Sequence, residues 1–160
     1  MGVAGCGKTS VGEGLAALGL VEYIDGDALH PPANIEKMSQ GEPLTDDDRA
    51  PWLTDVGQAL AEEDGPVVIG CSALKRKYRD WIREAVPEPV RFIHLDAPQC
   101  VLEKRVAGRS NHFMPTGLLD SQFAALERLT GSEMGAEIDI AKPYADVIAQ
   151  SEHYVRETLI

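Results

Sequence analysis

The stretch Gly2-Val3-Ala4-Gly5-Cys6-Gly7-Lys8-Thr9 has the spacing G-x-x-x-x-G-K-[ST]. That is the pattern of a phosphate-binding loop, or P-loop. Its glycines accept positive φ and let successive backbone N–H groups converge on one point. Gly5 adds an unhindered N–H inside the loop. A helix starting near Lys8 turns the positive end of its dipole on the same point. Gly2, Val3, Ala4, Gly5, Cys6, Gly7, Lys8, Thr9 and Ser10 are therefore the expected nucleotide cradle. Lys8 is expected on the β- and γ-phosphates of ATP, and the Thr9 hydroxyl on Mg2+. The competing reading is a glycine-rich turn ahead of a helix. A P-loop normally follows a strand, and here only Met1 precedes Gly2. The first strand is thus expected to be missing from this chain. Either the natural chain starts further upstream, or the sheet is marginal.

Working outward, short apolar runs alternate with longer amphipathic stretches. Residues 21–25, 67–71, 91–95 and 137–140 read as strands. Helical patterns cover residues 8–18, 46–63, 75–85, 98–108 and 117–129, and a last one runs from 143 towards 159. Thr45 followed by Asp48 suits a variant capping box, and Pro98 and Pro143 stand where first-turn prolines belong. The alternation predicts an α/β fold in three layers, a parallel sheet flanked by helices. Ligands of such sheets bind outside the carboxyl ends of the strands.

At 160 residues the chain is expected to form a single domain over residues 1–160. A net charge of −11 repels a phosphate backbone and argues against nucleic acid as partner. It leaves room for a small phosphorylated ligand held by a few local cations. The runs Asp46-Asp47-Asp48 and Glu62-Glu63-Asp64 read as solvated helix faces. No apolar run approaches the ~18 residues of a membrane span, and no secretory signal is visible, so no membrane partner is expected. Cys6, Cys71 and Cys100 are odd in number and irregular in spacing. They suit a reducing cytoplasm rather than a disulfide framework or a zinc site.

The strand over residues 21–25 runs into Asp25-Gly26-Asp27. Two carboxylates at a strand end beside a P-loop suit phosphoryl transfer. One, taken as Asp25, holds Mg2+ through water together with Thr9. The other, Asp27, orients or deprotonates an attacking hydroxyl. The plainer alternative is an Asp-Gly turn capping the next helix. Neither Asn-Lys-x-Asp for guanine nor Asp-x-x-Gly for sensing a γ-phosphate occurs in the sequence, which disfavours a GTPase switch. Asp96 ends a later strand and reads as mostly structural.

Four segments then narrow the reading: MGVAGCGKT at 1–9, YIDGDALHPPANIEKMSQGEPLTDDDRAPWL at 23–53, CSALKRKYRDWIR at 71–83 and GRSNHFMPTGLLDSQFAALE at 108–127. In content, order and spacing the chain resembles the gluconate kinases (gluconokinases), small P-loop kinases related in fold to shikimate kinase. The resemblance implies transfer of the ATP γ-phosphate to the 6-hydroxyl of D-gluconate. It also implies a core sheet of order 2-3-1-4-5, a mobile lid at about residues 105–120, and a homodimer. A shikimate-type kinase is the enzymatic alternative. A truncated nucleotide-binding protein without turnover is the non-enzymatic one.

Gluconate is a polyol with one carboxylate, so its pocket needs a cation and many hydrogen-bonding groups. By analogy with shikimate kinase, Arg49 is a candidate fork for that carboxylate; a surface pair with Asp46 or Asp47 is the alternative. His30 and Lys37 follow Asp27 on the same side, where they bond hydroxyls or simply pack. Ser72, Lys75 and Arg79 follow the strand over 67–71. Lys75 and Arg79, four apart, would share a helix face as substrate contacts or as charge balance. Trp52, Tyr78 and Trp81 read as packing residues. Arg105 and Arg109 precede the expected lid and are candidate stabilisers of the transferring phosphoryl, or ordinary cations at a helix C-terminus. Gln122 belongs to the family string without an assigned role.

Overall fold

The P-loop turns into helix α1 (Lys8–Ala17) at Gly7, whose φ of 93° lies in the left-handed region that favours glycine. The structure, a computed structural model, describes residues 1–108 and 116–159. After α1 come β1 (Glu22–Asp25), a 3-10 turn (Gly26–Leu29), α2 (Pro32–Ser39), α3 (Asp46–Glu62), β2 (Val67–Gly70), α4 (Arg76–Glu84), β3 (Phe92–Asp96) and α5 (Gln99–Ala107). Then follow α6 (Thr116–Ala125), β4 (Gly135–Asp139) and α7 (Tyr144–Leu159). This is the α/β alternation expected from the sequence.

All strand pairing is parallel. β1 lies beside β2 with Glu22 opposite Val67 and Asp25 opposite Gly70. β3 lies beside β4 with Phe92 opposite Gly135 and Asp96 opposite Asp139. Among the described residues the two pairs share no direct backbone hydrogen bond, and Met1 and Gly2 join them. The Met1 nitrogen donates to Ile93 O at 2.5 Å, Leu95 N donates to Met1 O at 3.0 Å, and Gly2 N donates to Ser72 O at 3.1 Å. One apolar cluster, with Val3, Leu15, Leu95, Leu102 and Ile138, packs under the P-loop. A second, with Trp52, Leu53, Val56, Tyr78 and Ile82, fastens α3 and α4 to the strands.

Thr45 caps α3 as expected: its hydroxyl accepts from Asp48 N while the Asp48 carboxylate accepts from Thr45 N. The acidic run beside it is more than a solvated face. Asp48 also takes Lys37 at 2.8 Å, and Asp46 binds Lys77 and the Tyr78 hydroxyl. These partners hold both carboxyl pKa values at about 2. Pro98 and Pro143 stand one place earlier than expected, just outside α5 and α7. Helix α2, not anticipated, starts at Pro32, and its buried Asn34 bonds Asp48 O at 2.9 Å.

Helix α6 stops at Ala125 instead of continuing to residue 129, because tertiary partners claim the next backbone groups. Glu127 N donates to Leu74 O, and Arg79 Nη1 donates to Glu127 O at 3.0 Å. Arg79 is fully buried. Its Nε and Nη2 meet both oxygens of Glu133 at 2.6 and 2.9 Å, and Nη1 also reaches Ala73 O and Leu74 O at 3.2 Å. Arg79, with Arg83, holds the Glu133 carboxyl far below the ordinary range. Removing one partner of a buried ion pair leaves an uncompensated charge. Glu133→Gln is therefore expected to cost about 3 kcal/mol or more in urea unfolding. Glu152→Gln, which breaks the surface pair with Arg156, should cost under ~1 kcal/mol.

The Met1 nitrogen is enclosed, and burial lowers its pKa from 8.0 to about 6. Burial also lowers the pKa values of His30 and His94. In each case the unfolded chain binds the extra proton, so stability rises with pH. For Met1 the window is pH 6 to 8: charged in both states below it, neutral in both above it. The chain is expected to gain on the order of 2 kcal/mol across that window, read as a rising urea midpoint. A flat or falling midpoint would contradict an enclosed amine.

Candidate active site

The P-loop is shaped so that only glycine fits at its tightest points. Gly2 has φ 142° and Gly5 φ 79°. A Cβ on Gly2 would stand 2.8 Å from Leu95 O, and one on Gly5 would stand 2.7 Å from Val106 Cγ2. Lys8 arches over the loop, its Nζ donating to Gly2 O at 3.1 Å and Val3 O at 3.3 Å. Helix α1 has no side-chain cap, which leaves the N–H groups of Lys8, Thr9 and Ser10 for an anion. Three loop N–H groups are already claimed: Gly2 donates to Ser72 O at 3.1 Å, Ala4 to Gln122 Oε1 at 2.6 Å and Cys6 to Val3 O at 3.3 Å. Beside the loop, the buried Tyr23 hydroxyl has no hydrogen-bond partner. It stands where a Cβ on Gly70 would lie 2.6 Å away, and near Thr9. Converging free N–H groups and a lysine are the donor set a polyphosphate requires.

β1 delivers the two carboxylates to the same edge. Asp25 caps the 3-10 turn, its Oδ1 accepting from Asp27 N at 3.1 Å. Asp27 is exposed, and no hydrogen bond to its carboxylate is found among the described residues. No cluster of three or more His, Cys, Asp or Glu fit for a metal ion occurs among them either. Thr9 and Asp25 thus suffice for Mg2+ only alongside phosphate oxygens and water, which is how such sites usually hold it.

The residues expected on the acceptor side gather around the start of α3. His30 is buried and stacks on Trp52, ring centroids 3.9 Å apart at 18°. Its Nδ1 faces Asn34 Nδ2 at 3.3 Å, and Trp52 Nε1 donates to Gly26 O at 2.8 Å. His30 therefore serves as packing that sets the Asp25–Asp27 turn. Lys37 is committed to Asp48. Arg49 is half-buried, donates to Leu44 O, and lies 5.6 Å from the Tyr78 ring centroid. It pairs with neither Asp46 nor Asp47. Lys75 lies over the same ring at 5.4 Å and 3.7 Å from Asp46. Arg49, Tyr78 and Lys75 so form one cationic patch around an aromatic ring, with Ser72 and Ala73 (φ 42°) at the end of β2. Burial pushes the Cys71 thiol up to about 11, which leaves it unreactive.

Residues 1–129 match the family profile described as an AAA domain. The thermosensitive gluconokinase of Escherichia coli (strain K12) is 45% identical over 159 residues, covering 97% of this chain and 84% of the relative. The gluconokinase of Gluconobacter oxydans (strain 621H) is 50% identical over 130 residues, covering 79% and 72%. The chain belongs to the gluconokinase family. A crystal structure of a gluconokinase from Sinorhizobium meliloti 1021 superposes with a TM-score of 0.89 at 46% identity, covering 99% of this chain and 90% of that one.

In this gluconokinase-family chain three arginines expected at the site are placed differently from one another. Arg79 is fully buried with its guanidinium on Glu133 and on backbone carbonyls, and α4 begins at Arg76, so Lys75 is its N-cap rather than a residue within the helix. Sequence spacing had no means of showing this, because its partner Glu133 lies 54 positions on. Arg105 is exposed on α5 and donates to Ile140 O. Arg109 and the middle of the expected lid, residues 109–115, lie outside the described residues, while its two ends belong to α5 and α6. Gln122 gains a contact that its sequence position did not announce, on the P-loop 118 positions away.

The cradle makes a direct prediction. Gly5→Ala is expected to weaken ATP binding about tenfold or more, since a left-handed residue with a Cβ costs ~1–2 kcal/mol before any overlap. Adding Val106→Ala removes the overlap but keeps the φ, so titration calorimetry should show part of the loss restored.

Proposed function

We propose that the chain transfers the γ-phosphoryl group of ATP to the 6-hydroxyl of D-gluconate, giving 6-phosphogluconate. The observation that carries this is the open Asp27 carboxylate at the strand end beside a formed P-loop, in a chain of this family. The free N–H groups of Lys8, Thr9 and Ser10 hold the phosphates, and Lys8 leaves its loop carbonyls to neutralise charge on the transferring group. Thr9 and Asp25 would hold Mg2+. When bound, Mg2+ bridges phosphate oxygens and offsets their developing charge.

Asp27 accepts the proton of the attacking hydroxyl and orients its oxygen. Arg49 and Lys75, both near the Tyr78 ring, receive the acceptor's carboxylate, and Ser72 lets the polyol approach the end of β2. Arg79 and His30 act behind this surface, as the strut and the packing that set it. Arg105 and Arg109 belong to the segment that closes over the phosphates and excludes water. The enzyme acts in the cytoplasm as a homodimer. Its free cysteines support the former and the family resemblance the latter. No helix is long and apolar enough to cross a membrane among the described residues.

Coupled ADP release with Mg-ATP and gluconate, shikimate, glycerate or no acceptor tests the reading. Turnover that depends on gluconate is the expected result. Turnover with shikimate alone, or with none of them, would overturn it. Asp27→Asn should lower kcat by about 10²-fold or more with little change in KM for gluconate. Arg49→Met should raise that KM, and an unchanged value would remove Arg49 from the carboxylate site.

A further inference from the structure

Helix α6 reaches the P-loop through its side chains. Leu119 is buried, and Phe123, one turn further on, packs against the same apolar cluster that holds Val3 and Cys6 of the loop. That stripe anchors the helix and brings the neighbouring Gln122 up to the loop. Its Oε1 accepts from Ala4 N at 2.6 Å, 118 positions away in sequence. A backbone N–H can only donate, so the side chain must present its oxygen here.

The bond acts on one peptide group. Val3 O and Ala4 N belong to the same peptide unit, which is trans, so its C=O and N–H point to opposite sides. Val3 O accepts from Lys8 Nζ at 3.3 Å and from Cys6 N at 3.3 Å. Gln122 therefore holds the far side of a peptide whose near side carries the lysine. Ammonium, peptide and side-chain amide form one chain, and each bond polarises the next in the same sense. Turning the peptide over would set Val3 O against the Gln122 oxygen. It would also take an acceptor from Cys6 N and from Lys8 Nζ. With the peptide fixed, the loop meets the phosphates already shaped, and little binding energy goes into ordering it.

We propose that Gln122 is a positioning residue of the nucleotide site: through Ala4 N it fixes the Val3–Ala4 peptide with its carbonyl on the lysine, and so keeps the cradle in its binding shape. It acts through the loop rather than on the nucleotide. The proposal rests on the reading of the loop as an ATP site and is independent of the acceptor. What counts at position 122 is an acceptor atom at the reach of a glutamine, not the volume of the side chain. Without that atom Ala4 N has lost its partner, and ATP must order the loop as it binds.

The test compares the whole chain with two variants. Gln122→Met keeps the length of the side chain but has only a weak acceptor, and Gln122→Glu keeps the oxygen acceptor. Calorimetric titration with Mg-ATP reads affinity, thermal unfolding reads stability, and amide exchange without nucleotide reads Ala4. Gln122→Met is expected to weaken ATP binding about tenfold and to leave Tm within about 4 °C. Exchange at Ala4 should quicken in Gln122→Met and stay as slow in Gln122→Glu as in the unaltered chain. Unchanged affinity in Gln122→Met would overturn the proposal. So would fast Ala4 exchange in Gln122→Glu. A larger fall of Tm in Gln122→Met would overturn it too, since residue 122 would then be a strut of the fold. An unaltered chain that binds no Mg-ATP would remove the nucleotide reading itself and the proposal with it. ATP binding that ignores Gln122→Met would remove the proposal alone.

Discussion

Three backbone hydrogen bonds made by Met1 and Gly2 carry the direct connection between the two strand pairs. Everything the candidate site needs is placed relative to that seam. β1 and β2 bring Asp25, Asp27, Ser72 and the α4 entry from one side. β3 brings Leu95, whose carbonyl leaves room for no side chain at Gly2. The P-loop grows out of the seam itself, so its N–H groups converge only as well as the two pairs are held together. The pairs have other fasteners, in α1, which packs against β1 and α7, and in the segment after α6.

Charge inside the molecule serves architecture at one place and chemistry at another, and burial separates the two. The Arg79 guanidinium is spent on Glu133 and on four carbonyls, tying the chain after α6 to the loop after β2. With every donor oriented inward, it gives rigidity and has nothing left for a ligand. Arg49 and Lys75, both half-buried, lie near the buried Tyr78 ring. Asp46 binds that ring's hydroxyl and Lys77. Each keeps a single polar partner among the described residues, Leu44 O for Arg49 and Asp46 for Lys75, where Arg79 has six acceptor atoms.

The P-loop, the acid-ended β1, the capped α3 and the α/β alternation were legible because each is written in residues near one another. Glycines at fixed offsets, an N-cap three places from its partner and an apolar run before an acid are all local signals. What escaped is what depends on distant partners. Arg79 and Lys75 look like a helical pair until Glu133 claims the first and Asp46 the second. Helix α6 carries a pattern that continues past Ala125, but Leu74 and Arg79 draw the backbone away. His30 reads from the sequence as a hydroxyl ligand or as packing, and the stack on Trp52 depends on a residue 22 positions away. Helix α2 was hidden by its polar face and paired prolines, although a proline in the first turn is itself a helix-start signal.

The net charge of −11 has a consequence for encounter rather than for catalysis. A nucleotide triphosphate and a sugar acid are both anions, and the field of the whole chain opposes their approach. The cations that welcome them are local and act within a Debye length of ~8 Å at physiological salt. Capture is then a short-range event at the end of an uphill approach. Added salt, by screening the repulsion, should quicken association up to the point where it also weakens the local contacts. Fast anion capture and an acidic surface thus pull the composition in opposite directions.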